Sequence, residues 1–373
     1  MKAYVYTDKS LERYAGRFVW LSVNTEAAET AAFLKKYPIP ALPTLLVLDP
    51  KRDTVALRYV GGATVPQLRK MLDDAERSHR ARMEAQTDRL LAEADQLASE
   101  GKQADAAKTY DAAIRTAPGR WTRLGRAAES LVYSLSLAGD RERCTARALE
   151  LYPRLKGTMA AANVASTGLW CAIALKQDAD VAKLETYTRE AFDNKKIEMS
   201  NDDRSGLYMA LIEARDFEGD DEGAIALRGE WVAFLEEAAA KATTPEQRTV
   251  YDSHRLSAYL DLGMPEKAVP MLEQSERDFP DDYNPPSRLA YAYKALEQYD
   301  KALAASDRAL AKVYGPRKLA VLSVRADIYM AKGDAKTAKE TLVQAIEYGK
   351  SLPEGQRPDK RIAAFEKRLA EMK

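Results

Sequence analysis

The chain has 373 residues, more than one compact hydrophobic core usually supports, which predicts two or three domains or an array of repeats. With 46% hydrophobic and 31% charged residues, the composition is that of a folded protein rather than a disordered one. Lysine plus arginine and aspartate plus glutamate balance at 57 each. This balance excludes a global basic field that would attract nucleic acid or an anionic membrane.

The few cysteines and histidines limit the chemistry that the chain can carry. The cysteines are Cys144 and Cys171, and the histidines are His79 and His254. Two cysteines exclude a disulfide scaffold and the usual zinc arrangements, so we expect no metal and no cofactor. We expect Cys144 and Cys171 to be buried, unreactive thiols on neighbouring helices, with a redox pair as the alternative. We expect His79 in a solvated linker helix and His254 at the surface or in a groove.

The hydrophobic pattern bears on location. No uninterrupted apolar stretch of about 18 residues occurs, so we expect no membrane-spanning helix. The N-terminal residues lack the apolar core of a secretory signal, which predicts a cytoplasmic protein for the chain as written. If the true start lies upstream of Met1, the longer protein could carry a signal and lie in the periplasm or envelope.

The first 78 residues combine helix and strand patterns. Apolar residues at helical spacing, with Thr25 as a cap, predict a helix over 25–37 that Pro38 ends. The wholly apolar run 45–48 predicts a strand with both faces covered. The remaining patterns predict strands over 18–23 and 55–60 and a helix over 65–77.

These residues resemble the second half of a thioredoxin-fold domain. In that family a helix ends in an aromatic residue, Gly or Pro, and Ile or Val, and a small–apolar–Pro–Thr turn leads into the next strand. The residues that match are Tyr37, Pro38, Ile39, Leu42, Pro43 and Thr44. The resemblance implies an α/β domain over residues 1–78 and a cis peptide bond at Pro43. In redox-active relatives the turn corresponding to Leu42, Pro43 and Thr44 sits against the dithiol.

That dithiol is absent from this chain as written. Redox-active members carry Cys-x-x-Cys at the start of a helix, which lowers the thiol pKa, whereas no cysteine precedes Cys144. We therefore identify no catalytic residue. Either Met1 is an internal methionine of a longer protein that carries the motif, or the domain kept its shape and lost its chemistry. In the chain as written, the missing central strand leaves an unpaired sheet edge, which predicts self-association.

From residue 79 onward the pattern is helical and resembles tetratricopeptide repeats. The first match includes Ala94, Gly101, Ala106, Tyr110 and Pro118, and three further matches lie near the C-terminus. The small residues Ala268, Ala302 and Ala338 of those three are 34 and 36 residues apart, close to the repeat length of about 34. We predict an all-α superhelical array over residues 79–352, off-template between 120 and 241, and a capping helix over residues 353–373.

Repeats of this family bind extended peptides or partner helices on a concave face lined by the first helix of each repeat. By the family's spacing, the groove positions would be Asp95, Ser257, Tyr291, Lys294, Asp327 and Met330. The resemblance thus implies a protein or peptide partner, and the alternative is that these are ordinary surface residues. The Lys and Asn residues of the family's carboxylate clamp do not occur at the required positions.

The sequence therefore predicts a partial thioredoxin-like α/β domain followed by a tetratricopeptide-type array. The leading hypothesis is a non-enzymatic protein-interaction module. The alternative is a thiol–disulfide oxidoreductase, of a bacterial envelope, whose Cys-x-x-Cys lies upstream of Met1. Whether the protein is an enzyme stays open between these two.

Overall fold

The computed structural model describes residues 1–80 and 86–372, apart from the side chains of residues 78–80, so the side chain of His79 lies outside the described part. The chain divides into two compact units. The first unit is formed by Met1–Arg17 and Tyr37–Arg228, and the second by Phe18–Lys36 and Gly229–Lys373. The domain boundaries predicted at residues 78 and 352 stay predictions.

The described elements are mostly helices, with one pair of strands near the N-terminus. In chain order they are α1 Ala31–Lys36, β1 Thr44–Asp49, β2 Thr54–Val60, α2 Val65–Arg80, α3 Gln86–Ser99, α4 Gln103–Thr116, α5 Leu124–Leu137, α6 Arg141–Leu155, α7 Met159–Leu175, α8 Asp178–Asp193, α9 Asn201–Glu218, α10 Asp221–Ala240, α11 Pro245–Thr249, α12 Asp252–Asp261, α13 Pro265–Asp278, α14 Asn284–Ala295, α15 Tyr299–Leu310, α16 Lys318–Ala331, α17 Ala335–Ser351 and α18 Asp359–Glu371. Helix α10 begins in the first unit and continues into the second.

The first unit is built mainly from helix pairs. Ala94 on α3 and Ala106 on α4 are fully buried, as predicted for the points where the two helices approach most closely. Tyr110 is also fully buried and fills the space beside them. Gly101 ends the turn between these helices with φ +79°, a left-handed conformation that side chains with a Cβ rarely adopt. Small residues thus set the helix spacing and large ones fill the core.

The sheet contains two strands. β1 pairs antiparallel with β2, from Thr44 opposite Val60 to Asp49 opposite Thr54, so the strands predicted over 45–48 and 55–60 are confirmed. The expectation that both faces of β1 are covered was wrong, because its residues 44–47 are half-buried and Leu48 is exposed. Within the described residues β2 is the strand neighbour of β1, which leaves the other edge of β1 unpaired. Self-association through that edge stays a prediction.

The strand predicted over 18–23 is not present. These residues form no ladder, and Val19 and Leu21 are 87% and 81% exposed, because no neighbouring strand pairs with them. The helix predicted over 25–37 is also shorter: a 3₁₀ turn, Ala28–Thr30, precedes α1, and Thr25 does not cap it. The peptide bond between Leu42 and Pro43 is cis. With two strands in place of a full sheet, the thioredoxin-like domain is not confirmed.

The two cysteines form a disulfide bond, which corrects the expectation of free, unreactive thiols. Cys144 on α6 and Cys171 on α7 are buried, with Cα atoms 6.3 Å apart, a separation that a disulfide spans readily. Their burial was expected, but their bonding was not, because the sequence does not show how closely the two helices approach. The disulfide ties neighbouring helices of the first unit together.

The second unit contains the three C-terminal repeats. Their first helices are α12, α14 and α16, and each is followed by a second helix, α13, α15 or α17. The predicted contact residues Ala268, Ala302 and Ala338 are fully buried. The last helix, α18, packs Ile362 and Phe365 against the core of the final repeat, and its role as a capping helix stays a prediction. Among the described helices, none is both long and apolar enough to cross a membrane.

Candidate partner-binding surface

The structure separates one predicted groove residue from the others. Asp95 is fully buried in the first unit, so the expectation that it faces a partner was wrong. The hydroxyl of Tyr110 donates to its Oδ1 at 2.7 Å, and Nη1 of Arg126 lies 2.6 Å from its Oδ2. A carboxylate at this position is retained in the interior because two donors from neighbouring helices compensate its charge. Asp95 is therefore part of the core.

The other predicted residues lie on the first helices of the C-terminal repeats. Tyr291 on α14 and Met330 on α16 are 38% and 41% exposed, and Ser257 on α12 is exposed as well. Lys294 and Asp327 are partly buried. Large apolar side chains that stay in contact with water on a repeat array are the kind of anchor that protein interfaces use. These five residues are called the groove surface below.

Helix α18 contributes two arginines to the groove surface that the sequence did not reveal. Nη2 of Arg368 lies 2.6 Å from Oδ1 of Asp327. Burial and the charge of Asp327 raise the pKa of Tyr291, and the positive charge of Arg361 opposes this rise. The sequence indicated a capping role for α18 from its apolar side, whereas the contacts of its charged side depend on which helix it packs against. The groove surface is thus mixed in charge rather than acidic or basic.

A fixed ion pair lies at the beginning of α12. Arg255 donates from Nε and Nη2 to the two carboxylate oxygens of Glu236 on α10, at 2.7 and 2.8 Å, and the hydroxyl of Tyr259 donates to Oε1 at 2.7 Å. Burial raises the pKa of Glu236, but these hydrogen bonds outweigh it and lower the pKa overall. The bidentate geometry makes this a rigid contact. His254 lies nearby, half-buried, with its ring 6.0 Å from that of Trp231.

In the first unit, two carboxyl groups on α5 and α9 lie close enough for the charge of one to act on the other. Glu129 on α5 accepts a hydrogen bond from Nδ2 of Asn163 on α7 at 2.9 Å, and Asp203 on α9 forms a capping box with Ser200. Burial, with the Asp203 charge as a further cause, raises the pKa of Glu129 to about 7. Burial likewise raises the pKa of Asp203 to about 6, although its hydrogen bonds with Ser200 oppose the rise. Both carboxyls therefore titrate near neutral pH.

These raised pKa values predict a stability that falls as pH rises. The folded state holds the Glu129 proton more tightly than the unfolded chain, whose carboxyl titrates near pH 4.5. The stabilisation is complete below that pH and is lost as pH rises through about 7. Glu129→Gln keeps an acceptor for Asn163 but removes the charge. We expect it to raise the free energy of unfolding by about 1–3 kcal/mol at pH 8 and to change it little at pH 5.

Urea unfolding at pH 5 and pH 8 measures this effect. The exposed residue Glu142 offers a matched control. Glu142→Gln should leave the difference in the free energy of unfolding between pH 5 and pH 8 the same as in the unaltered protein. If Glu129→Gln shifts the midpoint equally at both pH values, the carboxyl is not protonated in the folded state at pH 5 and the assignment fails.

The side chains of these surfaces offer no cluster of metal ligands within the described residues, and the groove surface offers contacts of the kind that protein recognition uses. Across residues 1–80 and 86–372, no group of three or more His, Cys, Asp or Glu side chains is placed to hold a metal ion. The paired carboxyls of the first unit are engaged by Asn163 and Ser200. The groove surface instead combines an exposed tyrosine and methionine with charges of both signs, which suits contact with another polypeptide.

Comparison with known proteins identifies one repeat by sequence. Residues 320–348 match the tetratricopeptide repeat family, and they coincide with α16 and most of α17, the repeat predicted around Ala338. No curated protein matches the chain. The match covers one repeat, and α12–α13 and α14–α15 carry the same buried alanines at the same spacing. The helical part is therefore a tetratricopeptide-like array.

Solved structures show similarity at low sequence identity. A tetratricopeptide repeat protein from Parabacteroides merdae is 11% identical, with a TM-score of 0.48 over 76% of this chain and 99% of that chain. A thermophilic tetratricopeptide protein from Thermus thermophilus is 17% identical, with a TM-score of 0.26 over 77% and 98%. The TPR2AB domain of yeast Sti1, solved as a complex with pHSP90, is 13% identical, with a TM-score of 0.27 over 76% and 98%.

Proposed function

We propose that this protein is a non-enzymatic scaffold whose C-terminal repeats bind a protein or peptide partner on the groove surface. The observation that carries the proposal is the exposure of Tyr291 and Met330 on adjacent first helices, beside Lys294 and the Arg368–Asp327 pair. An aromatic anchor and an adaptable thioether, bordered by charges, fit an extended segment or a partner helix. The match of residues 320–348 to the repeat family supports this reading.

Site-specific crosslinking in the organism of origin tests the proposal. A photoreactive phenylalanine analogue at position 291 or 330 should give adducts with the same partner protein. The same analogue at position 343, which is 40% exposed on the second helix α17, is the matched control and should give none. Identical adducts from all three positions, or none at 291 and 330, would count against a partner on the groove surface.

The thiol–disulfide oxidoreductase alternative gains no support from this chain. Cys144 and Cys171 are bonded to each other and buried, and the sequence contains no other cysteine. The bond does bear on location, since disulfides persist in oxidising compartments and are rare in the cytosol. We therefore propose the periplasm or envelope, rather than the cytoplasm, as the place where this protein works. The protein's fractionation with periplasmic or cytoplasmic markers would decide between the two.

A further inference from the structure

Residues 24–35 lie against the loops that connect the helices of the second unit. The contacts come from three places: the loop before α14, the loop between α15 and α16, and the loop between α17 and α18. The residues just before this segment, 19–23, are exposed. The segment thus lies on the second unit as a bound peptide would, with turns over residues 25–30 followed by α1, at the end of an exposed connection. The loop residues that contact the segment are called the loop surface. They are Tyr283, Tyr314, Gly315, Arg317, Gly355 and Gln356.

The loop surface recognises one carboxylate in the segment. The hydroxyl of Tyr283 donates to Oε1 of Glu26 at 3.0 Å, and Nε of Arg317 lies 3.5 Å from the same oxygen. Burial and the nearby carboxylate both raise the pKa of Tyr283, as expected for a phenol that donates to a charged group. Two residues earlier, the amide of Asn24 donates to the hydroxyl of Tyr314 at 2.7 Å. The contacts of Tyr283 and Arg317 favour a carboxylate over a neutral side chain at position 26.

The loop surface also forms hydrogen bonds with the main chain of the segment. Nε2 of Gln356, whose residue is 6% exposed, donates to the carbonyl oxygens of Thr25 at 3.0 Å and Ala27 at 2.7 Å. A buried amide that donates to two carbonyl oxygens of one turn holds the main chain of that turn. It requires no particular side chain at 25 or 27. The loop surface thus combines one side-chain contact with general backbone recognition.

Two glycines let the segment approach closely. A Cβ at Gly315 would lie 2.2 Å from the carbonyl oxygen of Glu26, and one at Gly355 would lie 2.0 Å from the carbonyl oxygen of Ala31. Any other residue would displace the segment's main chain, since both contacts are to backbone atoms. Gly315 also has φ +58°, whereas Gly355 has no positive φ. Gly355 therefore isolates the effect of close approach from that of backbone strain.

We propose that the loop surface is a second peptide-binding site, occupied in this structure by residues 24–31 of the same chain. Its partner is a segment of another protein that carries a glutamate flanked by small residues and forms the same turn, and it binds by displacing the internal segment. The segment is suited to displacement because polar contacts hold residues 24–27 and the preceding residues are exposed. This inference rests on the proposed scaffold function, to which it adds a site and a partner chemistry.

The first test asks whether the close approach holds the segment in place. Hydrogen exchange of the full chain should show residues 24–31 protected relative to 19–23. Gly355→Ala should remove that protection, whereas Gly229→Ala, a helical glycine with open space around it, should retain it. Equal exchange of 24–31 in all three proteins, whether fast or slow, would overturn the assignment of Gly355 as a contact that admits the segment.

The second test uses a fluorescent peptide of residues 23–30, VNTEAAET, as the probe. Fluorescence anisotropy should show weak binding to the unaltered protein, because the internal segment occupies the site. Glu26→Ala in the protein weakens that segment and should tighten peptide binding at least about tenfold. Adding Arg317→Glu to this variant should abolish the gain, and a peptide with Glu26→Ala should not bind. Equal affinity with and without Glu26→Ala in the protein would overturn the proposal.

The two proposals can fail separately. Loss of adducts at positions 291 and 330 would leave the peptide result intact and would move the binding activity from the groove surface to the loop surface. Loss of peptide binding, with the adducts retained, would reduce residues 24–31 to a structural part of the second unit.

Discussion

Replacing Asp95 with alanine should lower the free energy of unfolding by about 3–5 kcal/mol, because it leaves the Arg126 guanidinium with an uncompensated charge. Asp95 is fully buried, and its two oxygens are engaged by Arg126 and Tyr110. Removing one partner of a buried pair costs more than the pair contributes, since the remaining ion keeps its desolvation penalty. Urea unfolding followed by circular dichroism measures the change.

Two variants separate this mechanism from a general loss of packing. Asp95→Leu combined with Arg126→Met removes both charges and should restore much of the lost stability, because an apolar pair needs no compensation. Asp105→Asn is the matched control, because it removes an exposed ion pair between Asp105 and Lys108 within α4. It should lower the free energy of unfolding by no more than about 1 kcal/mol. A double variant as unstable as Asp95→Ala would show that the site depends on shape or on the Tyr110 hydrogen bond rather than on charge.

Asp95 also shows what a repeat pattern can and cannot predict. The spacing of Ala94, Ala106 and Tyr110 fixes which helices pair, because small and large residues must alternate at the helix contact. Sequence alone treats a charged residue beside them as exposed, since burial of an aspartate depends on donors from other helices. Arg126 is 31 residues away from Asp95. No local periodicity indicates that their side chains meet.

The sequence prediction for the N-terminal region was partly wrong for a related reason. The apolar run 45–48 predicts a strand correctly because extended structure there needs only the neighbouring hairpin strand β2. Residues 18–23 have an equally suitable composition, but a strand requires a partner, and none pairs with them. Residues 24–35 instead contact loops more than 250 positions later, through Tyr283, Arg317 and Gln356. Such long-range pairing leaves no periodic signal in the sequence.

Removing the disulfide should also cause a large loss of stability. Cys144 and Cys171 are 27 positions apart, and closing a loop of that length in the unfolded chain is worth about 3–4 kcal/mol in the chain-entropy account. We expect Cys144→Ala with Cys171→Ala to lower the free energy of unfolding by roughly that amount, with a further cost from the lost side-chain packing. Urea unfolding with and without a reducing agent measures the two contributions separately.

Unfolding in the presence of a reducing agent also tests the proposed location of the protein. In the unaltered protein, reduction should shift the urea midpoint downwards, and the double alanine variant should show no response. Because both cysteines are buried, reduction should be slow in the folded state and fast in urea. A midpoint that does not respond to reductant, together with two thiols that react with an alkylating reagent after unfolding without reduction, would show that the cysteines are free. The scaffold would then have no structural reason to work in an oxidising compartment, and the cytoplasm would again be the expected location.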